Sequence, residues 1–60
     1  MSGELLKTAE VARRLRLDPR TVRHLATNGT IKAYLVAGEY RFDAAAVNDF
    51  LTQHKVEASR

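Results

Sequence analysis

The dipeptide Asp18-Pro19 constrains the local structure of this chain more than any other feature of its sequence. Aspartate is a favoured N-cap, and proline suits the first helical position because its missing N–H is not needed there. Asn28-Gly29 marks the end of the helix that begins at Pro19, since glycine readily adopts the left-handed conformation found at helix C-termini. We therefore predict a helix over residues 19–28, about 15 Å long at the usual rise per residue. Its inward stripe consists of Val22, Leu25 and Ala26.

A shorter helix is predicted over residues 8–15, with Thr8 as its N-cap and Glu10 in its first turn. Only residues 16–18 separate the two helices, so the second must cross the first at a steep angle. Leu17 is expected to anchor this turn in the core. Two short helices joined by such a turn form a helix-turn-helix. The inward positions of the first helix are Val11, Ala12 and Leu15.

Apolar and polar residues alternate over residues 31–42, whereas the apolar residues of the preceding segments recur at helical spacing. β-Branched and aromatic side chains on both sides of Ala37-Gly38 predict a β-hairpin. Tyr40 and Phe42 share one face of its second strand and are expected to pack inward. Both faces of the first strand are fairly apolar, so the sequence leaves its buried face undecided.

A third helix is predicted over residues 44–54, with Asp43 as its N-cap and three alanines of high helix propensity at its start. His54 is expected to be half-buried on the inner face of this helix. The inward stripe consists of Val47, Phe50 and Leu51.

Together these elements predict a mainly α fold with a β-hairpin wing, that is, a winged helix-turn-helix with three short helices. The domain is expected to span residues 8–54. An N-terminal leader over residues 1–7, whose Leu5 and Leu6 tuck against the core, precedes it, and a polar tail over residues 55–60 follows it.

The length of 60 residues limits the chain to one domain and makes a water-excluding catalytic pocket improbable, so no enzyme activity is expected. The chain has no cysteine and only two histidines, far apart, so neither a metal site nor a cofactor is predicted. Its longest run without Asp, Glu, Lys or Arg, residues 24–31, is too short to span a membrane. Charged residues near the N-terminus do not fit a secretory signal, so a cytoplasmic binding module is expected.

The positive charge is concentrated in one segment. The formal net charge is +3, yet residues 13–24 alone carry +4 and the rest of the chain carries −1. A solvated helix face is the alternative interpretation, but solubility alone does not explain why the charge is so one-sided. Nucleic acid is therefore the first partner to test.

The second helix carries hydrogen-bond donors opposite its apolar stripe. Arginine can bridge O6 and N7 of guanine, and threonine can contact a phosphate or a thymine methyl group. The major groove accommodates one α-helix, so this face predicts contacts with base edges. The predicted DNA-binding residues, including two on the hairpin, are Arg14, Arg20, Thr21, Arg23, His24, Thr27, Lys32 and Arg41.

Four segments carry a resemblance to a known family: LLKTAEVA at 5–12, LRLDPRTVR at 15–23, GTIKA at 29–33 and GEYRF at 38–42. Together they resemble the excisionase and MerR-like winged-helix family over about residues 5 to 52. The most specific parts are Arg20-Thr21-Val22 and Tyr40-Arg41-Phe42.

The resemblance implies a minimal DNA-binding domain. Phage excisionases of this type bind repeated sites beside those of an integrase and bend the DNA so that excision is favoured. Related small transcription regulators bind direct repeats head to tail. The implied partners are double-stranded DNA, further copies of the chain on tandem sites, and a site-specific integrase. The implied DNA-facing residues are Arg20, Thr21, Arg23 and His24 in the major groove and Arg41 on the wing.

The chain departs from the family pattern at three positions. Arg16 stands where glycine is common after the first helix, and it costs about 1–2 kcal/mol if that position needs a positive φ. Leu35 and Glu39 stand where basic wing residues are common, which predicts a weaker grip on DNA. Leu35 and Tyr34 are expected to offer an exposed apolar patch to a neighbouring copy.

Three functions follow from these features. An excisionase is the leading hypothesis, and a small transcription regulator or repressor that binds direct repeats is the second. A protein-interaction module on the same fold is the third. About nine residues follow Leu51, too few for the dimerisation helix and inducer-binding region of a MerR regulator.

Overall fold

Three strands and three helices build the part of the chain that the computed structural model describes, residues 4–56. In chain order they are β1 (Leu5–Lys7), α1 (Thr8–Leu15), α2 (Pro19–Thr27), β2 (Ala33–Val36), β3 (Glu39–Asp43) and α3 (Ala44–Gln53). β3 lies between β1 and β2 and pairs antiparallel with both. The predicted winged helix-turn-helix is confirmed. Residues 1–3 of the expected leader and residues 57–60 of the expected tail lie outside the described residues.

The helices occupy the predicted segments because short-range capping bonds define their starts. A side-chain oxygen of Asp18 accepts a hydrogen bond from the N–H of Arg20 at 2.8 Å, as expected of an N-cap ahead of Pro19. Asp43 caps α3 in the same way, through the N–H of Ala45 at 3.0 Å. α2 and α3 each end one residue before the predicted end.

The start of α1 differs from the prediction in its capping residue. Lys7, not Thr8, is the N-cap, because its extended backbone (φ −76°, ψ 158°) ends β1 directly ahead of the helix. The N–H of Lys7 donates to the carboxylate of Glu10 at 2.8 Å. A carboxylate in the first turn also interacts favourably with the positive end of the helix dipole.

β1 lies in the segment predicted to be only a leader. Leu6 is opposite Phe42 in the register, and both side chains are buried, whereas Leu5 on the other face is 47% exposed. The expectation that both leucines tuck against the core is therefore correct for Leu6 and wrong for Leu5. Successive side chains of a strand point to opposite faces, which explains the difference.

The hairpin turns at Ala37 and Gly38, whose φ values of 52° and 81° are both positive. Positive φ at both central residues is the geometry of a two-residue type I′ turn. Phe42 is fully buried and Tyr40 partly buried, so the predicted inward face of β3 is confirmed. Ala33 is opposite Phe42 and also packs against the core, which decides the buried face of β2.

One core cluster holds the elements together. Three residues expected at the core are exposed instead: Leu17 (37%), Leu51 (46%) and His54. Leu51 lies at the edge of the stripe that buries Val47 on α3. His54 follows the last residue of α3, and its Nδ1 lies 2.8 Å from the carbonyl oxygen of Phe50, so its ring folds back on the helix end. The buried core residues are Leu6, Val11, Ala12, Val22, Ile31, Phe42 and Val47.

Arg16 ends α1 in the left-handed conformation, with φ 59° and ψ 43°. Its N–H donates to the carbonyl of Arg13 at 3.3 Å, and the N–H of Leu17 donates to the carbonyl of Ala12 at 2.9 Å. These are the two bonds of a Schellman motif, which glycine usually completes. The position therefore needs the positive φ that makes arginine costly, by about 1–2 kcal/mol.

We expect Arg16→Gly to raise the free energy of unfolding by about 1 kcal/mol, because the relief of left-handed strain exceeds the extra chain entropy of glycine. The matched control is Arg13→Gly in the right-handed helix, which should lower the free energy of unfolding by about 1 kcal/mol. Urea unfolding measures both changes. Equal destabilisation by the two substitutions would contradict strain at Arg16.

Candidate nucleic-acid interface

α2 packs one face against the core and exposes the other. Val22 is fully buried, and Leu25 and Ala26 are partly buried against the core cluster. The predicted inward stripe is therefore confirmed. Gly29, with φ 80°, ends the helix as expected. The opposite face of α2 is free to meet a partner.

The five donor residues predicted on α2 are all exposed. Thr21 is exposed but is not among the residues that line the groove described next. The remaining four share one shallow surface, which we name the α2 groove, together with a residue of β3. Its lining residues are Arg20, Arg23, His24, Thr27 and Tyr40.

The two arginine side chains of the α2 groove remain exposed, although one of them lies near a carboxylate. Arg20 Nε lies 3.6 Å from the carboxylate of Asp18, and its side chain remains 83% exposed. Such an exposed pair contributes little, typically less than about 1 kcal/mol. Within residues 4–56, the side chains of Arg23 and His24 form no hydrogen bond or ion pair. These groups are therefore available to an anionic partner.

A second surface, the wing cleft, lies between the hairpin turn, the start of α1 and α2. Its lining includes Lys7, Arg23, Glu39, Tyr40 and Arg41. Arg23 and Tyr40 line both this cleft and the α2 groove, so the two surfaces are continuous. The chain thus brings cations from β1, α2 and β3 together along one surface.

Lys7 and Tyr40 were not predicted as site residues. Lys7 reaches the wing cleft because β1 pairs with β3 and places Lys7 opposite Arg41. A three-residue strand is too short to leave a periodic signal, so no local pattern could have found it. Tyr40 was correctly expected to pack inward, yet it also lines both surfaces because it is only partly buried.

Arg41 is engaged within the wing rather than free in solvent. Its Nη1 donates to a carboxylate oxygen of Glu39 at 3.1 Å and to the carbonyl oxygen of Tyr40 at 3.2 Å. The Arg41 side chain is 26% exposed, whereas that of Glu39 is 68% exposed. Any contact between Arg41 and DNA must therefore compete with Glu39.

Lys32 and Arg14 lie apart from the α2 groove. Lys32 is exposed at the start of the hairpin, and its Nζ lies 5.8 Å from the centroid of the Tyr34 ring. Arg14 lines a separate hollow on α1 with Glu10 and Arg13. The structure therefore does not bring Arg14 together with the donors of α2.

Two other kinds of feature, a metal-binding cluster and a membrane-spanning helix, are absent from the described residues. Among residues 4–56, no three His, Cys, Asp or Glu side chains are placed to hold a metal ion. No helix in that part of the chain is long and apolar enough to cross a membrane.

Comparison with protein families gives a match to a model described as a helix-turn-helix domain, over residues 5–55. This range includes β1, both helices of the helix-turn-helix, the hairpin and α3. Comparison with curated proteins and with solved structures gives no match.

Proposed function

The chain belongs to the helix-turn-helix domain family, and from this premise we propose that it is an excisionase that reads duplex DNA with α2. The family indicates DNA binding. The observation that supports the reading of DNA by α2 is the α2 groove, where four exposed donor residues lie on the side of the helix away from its buried stripe.

The recognition contacts follow from the dimensions of DNA. The major groove is about 12 Å wide and admits one α-helix with its side chains. Arg20 and Arg23 can each offer two donors to the O6 and N7 acceptors of guanine, and Thr27 can contact a thymine methyl group. His24 also lines the groove and would donate to a base or a phosphate. We assign Thr21, at the edge of this face, to a phosphate contact.

The wing would contact the sugar-phosphate backbone beside the recognition helix. The continuity of the wing cleft with the α2 groove supports this arrangement, because one duplex could cover both surfaces. Lys32 and Arg41 are the proposed phosphate contacts on the hairpin. Arg14 is proposed only as a long-range contribution to the positive field, since it lies elsewhere on α1.

Tandem binding is the proposed route to useful affinity. One such domain has a small interface with DNA, and small interfaces bind weakly unless neighbouring copies cooperate. The hairpin exposes three apolar side chains, Tyr34 (43%), Leu35 (64%) and Val36 (47%). We propose that these residues contact the next copy on repeated sites, and that successive copies bend the DNA toward a form that an integrase excises.

A gel-shift titration on attachment-site DNA, followed by an excision assay with the cognate integrase, tests this function. We expect stepwise, cooperative complexes on the repeated sites and stimulation of excision. Cooperative binding without stimulation would instead assign the chain to the small transcription regulators. Binding that is indifferent to sequence would reject specific recognition by α2.

A further inference from the structure

The ion pair between Glu39 and Arg41 lies within the surface proposed to meet the DNA backbone. Both residues line the wing cleft, two positions apart on the same face of β3. The guanidinium of Arg41 is the less exposed partner, held at 3.1 Å by the carboxylate of Glu39 and at 3.2 Å by the carbonyl of Tyr40. The carboxylate of Glu39 therefore engages one donor, Nη1, of an arginine that lines the cleft.

The surroundings of this pair are otherwise cationic. Lys7 is the cross-strand partner of Arg41, and Arg23 contributes a further guanidinium to the lining from α2. Glu39 is the carboxylate among the lining residues that the structure describes in this cleft. Lys7 and Arg41 are like charges on neighbouring strands and repel each other, so a carboxylate close to both is stabilised by attraction to them. A phosphate would be stabilised in the same position for the same reason.

We propose that Glu39 lowers the affinity of this protein for DNA by binding the guanidinium of Arg41. When Glu39 is neutralised, a backbone phosphate binds this guanidinium instead. Carboxylate and phosphate oxygens both accept charge-assisted hydrogen bonds from guanidinium N–H groups, so a phosphate competes with Glu39 for the Nη1 donor of Arg41. Glu39 acts through Arg41 and touches no DNA itself. This inference rests on the proposed DNA binding and adds an affinity-setting residue to it.

A simpler role for Glu39 would be general repulsion of the phosphate backbone by its negative charge. The two roles differ in one measurable respect. General repulsion does not depend on the side chain at position 41, whereas competition for the guanidinium does. A double-mutant cycle between the two positions therefore separates them.

The experiment measures the affinity of wild type, Glu39→Gln, Arg41→Gln and the double variant for one specific duplex, each at several salt concentrations. We expect Glu39→Gln to tighten binding about fivefold, as release of one surface ion pair allows. Its slope of log K against log salt should steepen by about 0.9, the increment for one further phosphate neutralised. In the Arg41→Gln background, Glu39→Gln should change neither quantity.

Asp49→Asn is the matched control, since it removes the same charge from an exposed position on α3. It should leave the affinity within about twofold and the salt slope unchanged, because an exposed charge away from the interface is screened. Equal tightening by Glu39→Gln in both backgrounds, or no tightening at all, would overturn the inference while DNA binding itself stands. Failure of wild type to bind any duplex would instead reject the proposed function.

Discussion

Replacing both Arg20 and Arg23 with alanine is expected to reduce affinity for the specific duplex on the order of 100-fold. Each arginine that reads a base contributes roughly 1–3 kcal/mol, and about 1.4 kcal/mol corresponds to one factor of ten. Both side chains are exposed and line the α2 groove, so their loss should change the free energy of unfolding by less than about 0.5 kcal/mol. A gel shift on specific and scrambled duplexes, with a thermal melt of the variant, measures both effects.

The control is Arg13→Ala combined with Arg16→Ala, which removes the same charge from α1 and its C-cap. We expect a loss below about tenfold, similar on both duplexes, since only the long-range field is weakened. If the α2 variant also lost affinity equally on both duplexes, its arginines would contact phosphates rather than bases. If it lost none, the protein-interaction hypothesis would gain support.

Phe42→Ala is expected to leave the domain largely unfolded at 25 °C. Phe42 is fully buried, and its register places it between Leu6 of β1 and Ala33 of β2, at the centre of the sheet. Truncating a buried phenylalanine costs about 3–5 kcal/mol. A single core in a chain of this size rarely supplies more than about 3–5 kcal/mol in total. Circular dichroism at 25 °C and during heating checks the prediction.

Leu35→Ala serves as the comparison, because it truncates a large apolar residue that is 64% exposed on the neighbouring strand. Its Tm should fall by only a few degrees, as about 0.5 kcal/mol allows in a domain of this length. A cooperative melt of Phe42→Ala within a few degrees of wild type would show that the core does not depend on this ring.

The features that the sequence predicted correctly depend on interactions within a few residues. Asp18 and Asp43 cap the helices that follow them, and Gly29 ends α2. Gly38 permits the tight turn of the hairpin. The spacing of the apolar residues on α2 then decides which side of that helix is exposed. Each signal can be read locally, because the donor and acceptor, or the two side chains on one face, lie within about one helical turn.

The incorrect predictions concern residues whose strand pairing or burial is determined by a distant part of the chain. Leu5–Lys7 forms a strand because it pairs with the edge of β3, which lies about 35 residues later in the sequence. In this pairing Leu6 is opposite Phe42. Leu51 and His54 stand at suitable periodic positions of the third helix, and Leu17 stands in the turn between the first two, yet all three are exposed. Burial depends on what packs against a face, and periodicity does not contain that information.

By itself, therefore, the sequence determined the helices, the hairpin and the exposed donor face of α2, because capping, turn and periodicity energies are local. The tertiary structure alone decided that Lys7, Arg23 and Arg41 line one cleft. The left-handed conformation of Arg16 is local by contrast, since backbone bonds to Arg13 and Ala12 close it, but the sequence did not decide whether that position needs a positive φ. The wing cleft depends on strand register and on the packing of α2 against the sheet, which join residues that are far apart along the chain.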